Sequence, residues 1–187
     1  MKRRKTILTL LAVCLLIAGF VAGPRALADD DERGEGRERG ERNERSGYKY
    51  TVPQLPAYSQ ECGSCHFLYL PGFLPARSWE ALINGSDKHF GEDLALDAAA
   101  KTELLAFLTA NAAEKSGFKW SAKILKRLGN ETPTRITELA YIKKEHRKIK
   151  EPVFKRPSIK SRSNCGACHP HGSQGDFEEG AVVIPAK

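Results

Sequence analysis

Two short stretches hold most of the chemistry this sequence can do. Cys62-Gly63-Ser64-Cys65-His66 and Cys165-Gly166-Ala167-Cys168-His169 are two copies of C-x-x-C-H, and the fifth cysteine, Cys14, lies in an N-terminal apolar run. C-x-x-C-H is the attachment pattern of c-type haem. Two thiols three positions apart on a helical turn can both reach the vinyl groups of the porphyrin and form thioethers. The next residue, His, then falls under the iron as proximal ligand. A thioredoxin-like redox pair would need one such motif in a βαβ setting, and no βαβ alternation is present. A four-Cys zinc site would place its two pairs about 15–20 residues apart, whereas about a hundred residues intervene here. Two structural disulfides would leave the His after each pair unexplained. The reading is two covalently bound haems c, one on Cys62 and Cys65 and one on Cys165 and Cys168, with His66 and His169 as proximal iron ligands.

The sixth ligand of each iron follows by elimination. Met and His are the usual candidates, and the sole Met is Met1. Residues 29–187, the chain expected after processing, hold no Met and no Cys beyond the four that form thioethers, so the distal ligands are sought among His89, His146 and His171. His171 sits two residues after His169. Ligands on opposite porphyrin faces need backbones on the order of 12 Å apart, and two extended residues reach only about 7 Å. His171 is therefore read as a surface or propionate-bonding residue, and His89 and His146 as the distal ligands. His146 precedes its motif whereas His89 follows its own, so the halves are not a tandem repeat.

The elements that must position these residues read as helical. Ser78–Ile83 patterns as a short helix stopped at Asn84-Gly85. Asp97 can N-cap an Ala-rich helix through about Ala113, with Leu104, Phe107 and Leu108 inward. His89 then falls on the loop between the two, where Phe90 can pack on the porphyrin edge. Thr137–Lys150 reads as a helix whose inner face carries Leu139, Ile142, His146 and Ile149 at +3, +4, +3 spacing. Lys143, Lys144, Arg147, Lys148 and Lys150 fill the rest of it as a basic collar around the second haem. No alternating strand pattern appears, so the expected class is mainly α: short helices and loops wrapped around two haems.

Lys2-Arg3-Arg4-Lys5, an uncharged run from Thr6 to Gly23, and Ala26-Leu27-Ala28 form a secretory signal over residues 1–28. An uncleaved membrane anchor is the alternative. Residues 29–47 contain eight acidic and five basic groups and no large apolar residue, so they are expected to be a disordered spacer. The remainder divides into a first haem region, 48–114, and a second, 115–187. Net charge is −4 over residues 48–114, +11 over 115–162 and −2 over 163–187. The formal +7 of the chain includes five basic residues of the signal, and without those the balance is 25 Lys+Arg against 23 Asp+Glu. That argues against a nucleic-acid binder, whose basic footprint must survive processing. The uneven distribution suits electrostatic steering of a charged partner.

Several segments together resemble the bacterial dihaem cytochrome c family. They are Gly63-x-Cys65-His66, Leu74-Pro75-Ala76-Arg77-Ser78-Trp79, His89-Phe90-Gly91-Glu92-Asp93, Arg135-Ile136-Thr137, Glu145-His146 and Asn164-Cys165-x-x-Cys168-His169. The resemblance runs from about Tyr50 to Pro185. It implies a small helical electron carrier with two low-spin, bis-histidine haems. It also implies a membrane-bound cytochrome as donor and a soluble redox protein, such as a small oxygen-binding c-type haem protein, as acceptor. The charged segment 29–47 and His171 lie outside the family pattern.

The expected function is thus periplasmic electron transfer by a monomer, with no substrate pocket and no catalytic residue. Two imidazoles per iron favour the ferric state more than Met does, so low potentials are expected. The rival from another class is a haem enzyme or gas-binding protein, peroxidase-like or nitric-oxide-handling, which needs an open or labile iron position. It gains ground if His89 or His146 is not a ligand. Nothing in the sequence looks like the output module of a sensor.

Overall fold

The computed structural model describes residues 51–186. The expected signal and charged spacer lie outside the described residues. Among the described residues there is no strand, and a single isolated bridge pairs His89 with Glu92. No helix of the described residues is long and apolar enough to cross a membrane. Six α-helices occur among the described residues: α1 (Pro56–Gly63), α2 (Ala76–Asn84), α3 (Ala98–Ala110), α4 (Lys119–Leu128), α5 (Ala140–Glu145) and α6 (Glu151–Phe154). Short 3-10 turns link them, so the fold is mainly α, as the periodicity implied.

Helix α2 follows Pro75 and buries Trp79 and Ile83, one turn apart on one face. It stops at Gly85, whose amide donates to the Ala81 carbonyl at 3.0 Å. Helix α3 begins where expected, with Asp97 Oδ1 accepting from the Ala100 amide at 2.7 Å. Leu104 and Leu108 are fully buried against α2. The helix ends at Ala110 rather than near Ala113. Asn111 Nδ2 takes the Phe107 carbonyl at 2.8 Å, and the Ala113 amide leaves the helix to donate to Leu74 at 2.9 Å. Leaving the helix is what buries Ala112 and Ala113.

Helix α4 turns Ser121, Ile124 and Leu128 inward. The 3-10 turn Pro71–Phe73 is pinned between α2 and α4. Trp79 Nε1 donates to the Pro71 carbonyl at 2.8 Å, and Ser121 Oγ to the Gly72 carbonyl at 2.9 Å. A β-carbon at Gly72 would lie 2.6 Å from Ser116 Oγ, so the close approach requires glycine there. Residues from both haem regions, from Tyr58 to Leu139, share one apolar core.

The helix expected over Thr137–Lys150 is broken. Ile136–Glu138 form a 3-10 turn, Leu139 adopts ψ 132°, and α5 spans only Ala140–Glu145. Extended backbone at Leu139 lets its side chain reach the core, where it is 3 % exposed. Beyond Glu145, Lys144, Arg147 and Lys148 would repel one another along a continuous helix. Instead the Arg147 guanidinium donates to the Lys144 carbonyl at 2.8 Å. The inward spacing survives the break: Leu139 is buried, and Ile142, His146 and Ile149 are half-buried. His146 is therefore the residue that closes α5, not a mid-helix position.

Candidate functional site

The first motif opens in the last turn of α1. Cys62 is half-buried against the core, while Cys65 and His66 are exposed just past the helix end. The second motif is a 3-10 turn, Cys165–Ala167, with Cys168 and His169 following it half-buried. All four thiols are free. Burial pushes the Cys62 and Cys165 thiols up to about 11 and raises Cys168 as well. A reactive redox dithiol needs the opposite, a thiol shifted toward thiolate.

The four ligand candidates come together in two pairs. The rings of His66 and His89 face each other with centroids 6.3 Å apart and planes 23° from parallel. The rings of His146 and His169 stand 6.1 Å apart at 74°. An ion bonded to one nitrogen of each ring at about 2.0 Å sets the ring centres about 6 Å apart, so each gap has the width of one metal between two imidazoles. Among the described residues no group of three or more His, Cys, Asp or Glu could hold a metal ion. A six-coordinate iron in either gap would therefore take its other four ligands from a macrocycle, which is what haem supplies.

Local bonds orient the rings. His66 Nδ1 lies 2.7 Å from the Phe67 carbonyl, and His146 Nδ1 lies 2.8 Å from the Ile142 carbonyl. A carbonyl can only accept, so in both rings Nδ1 carries the proton and Nε2 keeps the lone pair a metal needs. Burial, followed by the neighbouring His66 and Arg135, lowers the His89 pKa. Burial and His146 lower that of His169. Both shifts favour the neutral, ligating form. Two buried donors near the second motif, His169 Nδ1 and Trp120 Nε1, have no hydrogen-bond partner. Buried N–H groups are ordinarily paired, and a carboxylate-bearing cofactor would bring acceptors. His171 is exposed.

The two motifs are joined by residues that sequence reasoning passed over. Tyr69 Oη donates to the Ser163 carbonyl at 2.8 Å, across 94 positions of chain. Phe67 packs so closely on Gly166 that a β-carbon there would sit 3.3 Å from its ring. Tyr58 Oη, in turn, donates to the Tyr69 carbonyl at 2.6 Å. An aromatic series runs from one proximal ligand to the other. The ring separations are 5.2 Å for His66–Tyr69, 6.5 Å for Tyr69–Phe73, 5.1 Å for Phe73–Phe177 and 5.0 Å for Phe177–His169. The signal for it was Phe67, Tyr69 and Phe73 crowding the seven residues after His66.

Comparison with known proteins decides the family. The family model described as dihaem cytochrome c matches residues 58–177. This chain belongs to the dihaem cytochrome c family. It therefore carries two covalently bound c-type haems, in a family of haem-based electron transfer. Among solved structures, it is similar to a dihaem cytochrome c from Rhodobacter sphaeroides at 37 % identity and a TM-score of 0.60, covering 68 % of this chain and 100 % of that one. It is also similar to a dihaem cytochrome c from Shewanella baltica OS155 at 31 % identity and a TM-score of 0.58, covering 72 % of this chain and 95 % of the other. No curated protein sequence matches.

Proposed function

We propose that this dihaem cytochrome c is a periplasmic electron carrier with two bis-histidine, low-spin haems. Cys62 and Cys65 hold one haem, ligated by His66 and His89. Cys165 and Cys168 hold the other, ligated by His169 and His146. The observation that carries the reading is the pair of imidazole gaps, 6.3 and 6.1 Å, each one metal wide. Each haem, when bound, supplies a one-electron ferric/ferrous couple. The polypeptide's part is placement and tuning. His66 and His146 present Nε2 because a backbone carbonyl holds Nδ1, and the Tyr69–Ser163 and Phe67–Gly166 contacts keep the two motifs side by side. With His66 and His89 holding one iron and His169 and His146 the other, a bound haem would have no coordination site left for a substrate and would have a low potential.

In this reading a membrane-bound cytochrome donates electrons and a soluble redox protein, such as a small oxygen-binding c-type haem protein, accepts them. The protein works as a monomer. Lys143, Lys144, Arg147, Lys148 and Lys150 are all exposed, which supports docking of an acidic partner at the second haem.

The test is an optical spectrum of the haem-loaded protein, oxidised and reduced, with and without carbon monoxide. Low-spin bands unmoved by a brief exposure to carbon monoxide are the expected result. His89→Ala and His146→Ala should each turn one haem high-spin and carbon-monoxide-reactive. A high-spin band in the unmutated protein, or no change in either variant, would overturn the ligand assignment and favour an open-iron enzyme or gas binder.

A further inference from the structure

The four ligand histidines are not held equally well. His66 and His146 each have Nδ1 tied to a carbonyl, and His169 packs against Phe177 at 5.0 Å between ring centroids. His89 has no side-chain hydrogen bond among the described residues; its ring packs edge-on against Phe90, with centroids 4.7 Å apart, so its aim follows the Phe90 backbone. That backbone is a tight turn: the His89 amide donates to Glu92 at 2.7 Å and the Glu92 amide to His89 at 3.1 Å. The two residues inside the turn are Phe90 at φ +56° and Gly91 at φ +109°.

Glycine suits that conformation, and phenylalanine does not. A left-handed backbone at a residue with a β-carbon disfavours the turn by about 5- to 30-fold relative to glycine. Something must hold Phe90 there. The Arg135 guanidinium lies 4.0 Å above the centre of its ring. Phe90 and Arg135 are both exposed, so the cation over the ring favours the contact by about 2- to 5-fold and offsets part of the strain. Arg135 itself is well footed. It precedes the 3-10 turn Ile136–Glu138, its carbonyl accepts from the Glu138 amide at 3.0 Å, and Ile136 beside it is buried in the core.

We infer that Arg135 is a positioning residue for the first haem: by clamping Phe90 in the left-handed turn, it keeps His89 aimed at the iron and that iron closed to small diatomic ligands. This rests on the reading of His89 as distal ligand. Arg135 touches neither ligand nor reacting atoms in this role. It acts through Phe90, and only on the haem that His89 serves.

The experiment uses the full haem-loaded protein in its ferrous state, with carbon monoxide as probe. Uptake of carbon monoxide by the first haem tracks the fraction of time His89 is detached, and His89→Ala identifies the bands of that haem. Arg135→Ala should speed uptake at the first haem by about 2- to 5-fold and leave the second haem unchanged. Arg135→Lys, which keeps a cation, should retain most of the clamp. Phe90→Gly removes the strained residue, so in that background Arg135→Ala should have no further effect. Uptake by Arg135→Ala at the unmutated rate overturns the clamp. So does an equal acceleration in the Phe90→Gly background, which would mean that Arg135 acts by another route. If His89→Ala leaves the spectrum and uptake as they were, the ligand reading falls and the clamp with it, an outcome distinct from the other two.

Discussion

The joint between the two attachment motifs can be weighed by removing one oxygen atom. Tyr69→Phe deletes the 2.8 Å bond to the Ser163 carbonyl and leaves the ring against His66 and Phe73. A hydrogen bond of this kind contributes about 0.5–1.5 kcal/mol net, and the loss should fall in that range. Gly166→Ala attacks the same joint from the other side. Its β-carbon would meet Phe67 Cδ2 at 3.3 Å, so the ring must give by a few tenths of an ångström. Overpacking of this sort costs about 1–3 kcal/mol. Guanidinium unfolding of the haem-loaded proteins measures both. Because the two substitutions strain one joint, the double variant should depart from additivity by at least about 0.5 kcal/mol. The low-spin spectra should stay unchanged, since no ligand is touched, while electron exchange between the haems slows. Single losses below about 0.3 kcal/mol that add strictly would refute the joint, leaving the two motifs neighbours without mutual support.

Cys165→Ala with Cys168→Ala should lower the covalent haem count from two to one by mass, and retention of two would sink the attachment argument. Association with an acidic redox partner should slow as ionic strength rises. Lys143→Gln with Lys144→Gln and Lys148→Gln should flatten that dependence; an unchanged salt slope would move the docking face elsewhere. Burial raises the Tyr58 pKa above the ordinary 10. A raised pKa means that Tyr58's contribution to stability is complete below pH 10 and is lost as pH climbs through the elevated value. Tyr58→Phe should flatten that alkaline limb in a pH series of unfolding curves. Gly175 sits at φ +86°, and a β-carbon there would overlap Phe118 at 2.4 Å. Gly175→Ala should destabilise by about 2–5 kcal/mol, adding left-handed strain to overpacking, and a melting curve like the unmutated one would contradict that.

The sequence was most legible where chemistry dictates residue type. Thioether formation needs cysteines and iron needs imidazoles, so Cys62, Cys65, His66, Cys165, Cys168 and His169 stood out against any background. His89 and His146 were reached as candidate distal ligands by counting, because the chain holds no other His of suitable reach. Helix α2 and the start of α3 were readable from Asn84-Gly85 and Asp97, whose local bonds do not depend on distant partners. The helix over Thr137–Lys150 was misjudged because its +3, +4 spacing is equally compatible with broken backbone that still points the same residues inward. What breaks it, the burial of Leu139, is a tertiary fact. The Tyr69–Ser163 bond was out of reach for the same reason: nothing near either residue marks a partner 94 positions away. Arg135 on Phe90 required knowing that Phe90 adopts a left-handed backbone, which phenylalanine's preferences argue against.

The two sites also differ in what supports them. The first motif is flanked by residues of the shared core, Tyr58, Leu70, Phe73 and Leu74, each at most 5 % exposed, although Cys65 and His66 are themselves exposed. The second is followed by chain with little apolar support of its own. From Lys160 to Ala186 only Gly172 is buried among the described residues, and the secondary structure there consists of three-residue turns. What fixes that stretch is the packing of Phe177 against the core and a set of single bonds, among them Val183 to the Cys168 carbonyl at 2.9 Å, Arg156 to the Pro185 carbonyl at 2.7 Å, and Tyr69 to Ser163. Bonds of that kind contribute about 1 kcal/mol each, against about 1–2 kcal/mol of chain entropy for every residue they order. A group bound only in the folded state shifts the balance toward order. A haem held by Cys165 and Cys168 would therefore add support to residues 160–186 as well as supply a redox centre. A haem held by Cys62 and Cys65 would sit beside a core that the polypeptide builds for itself.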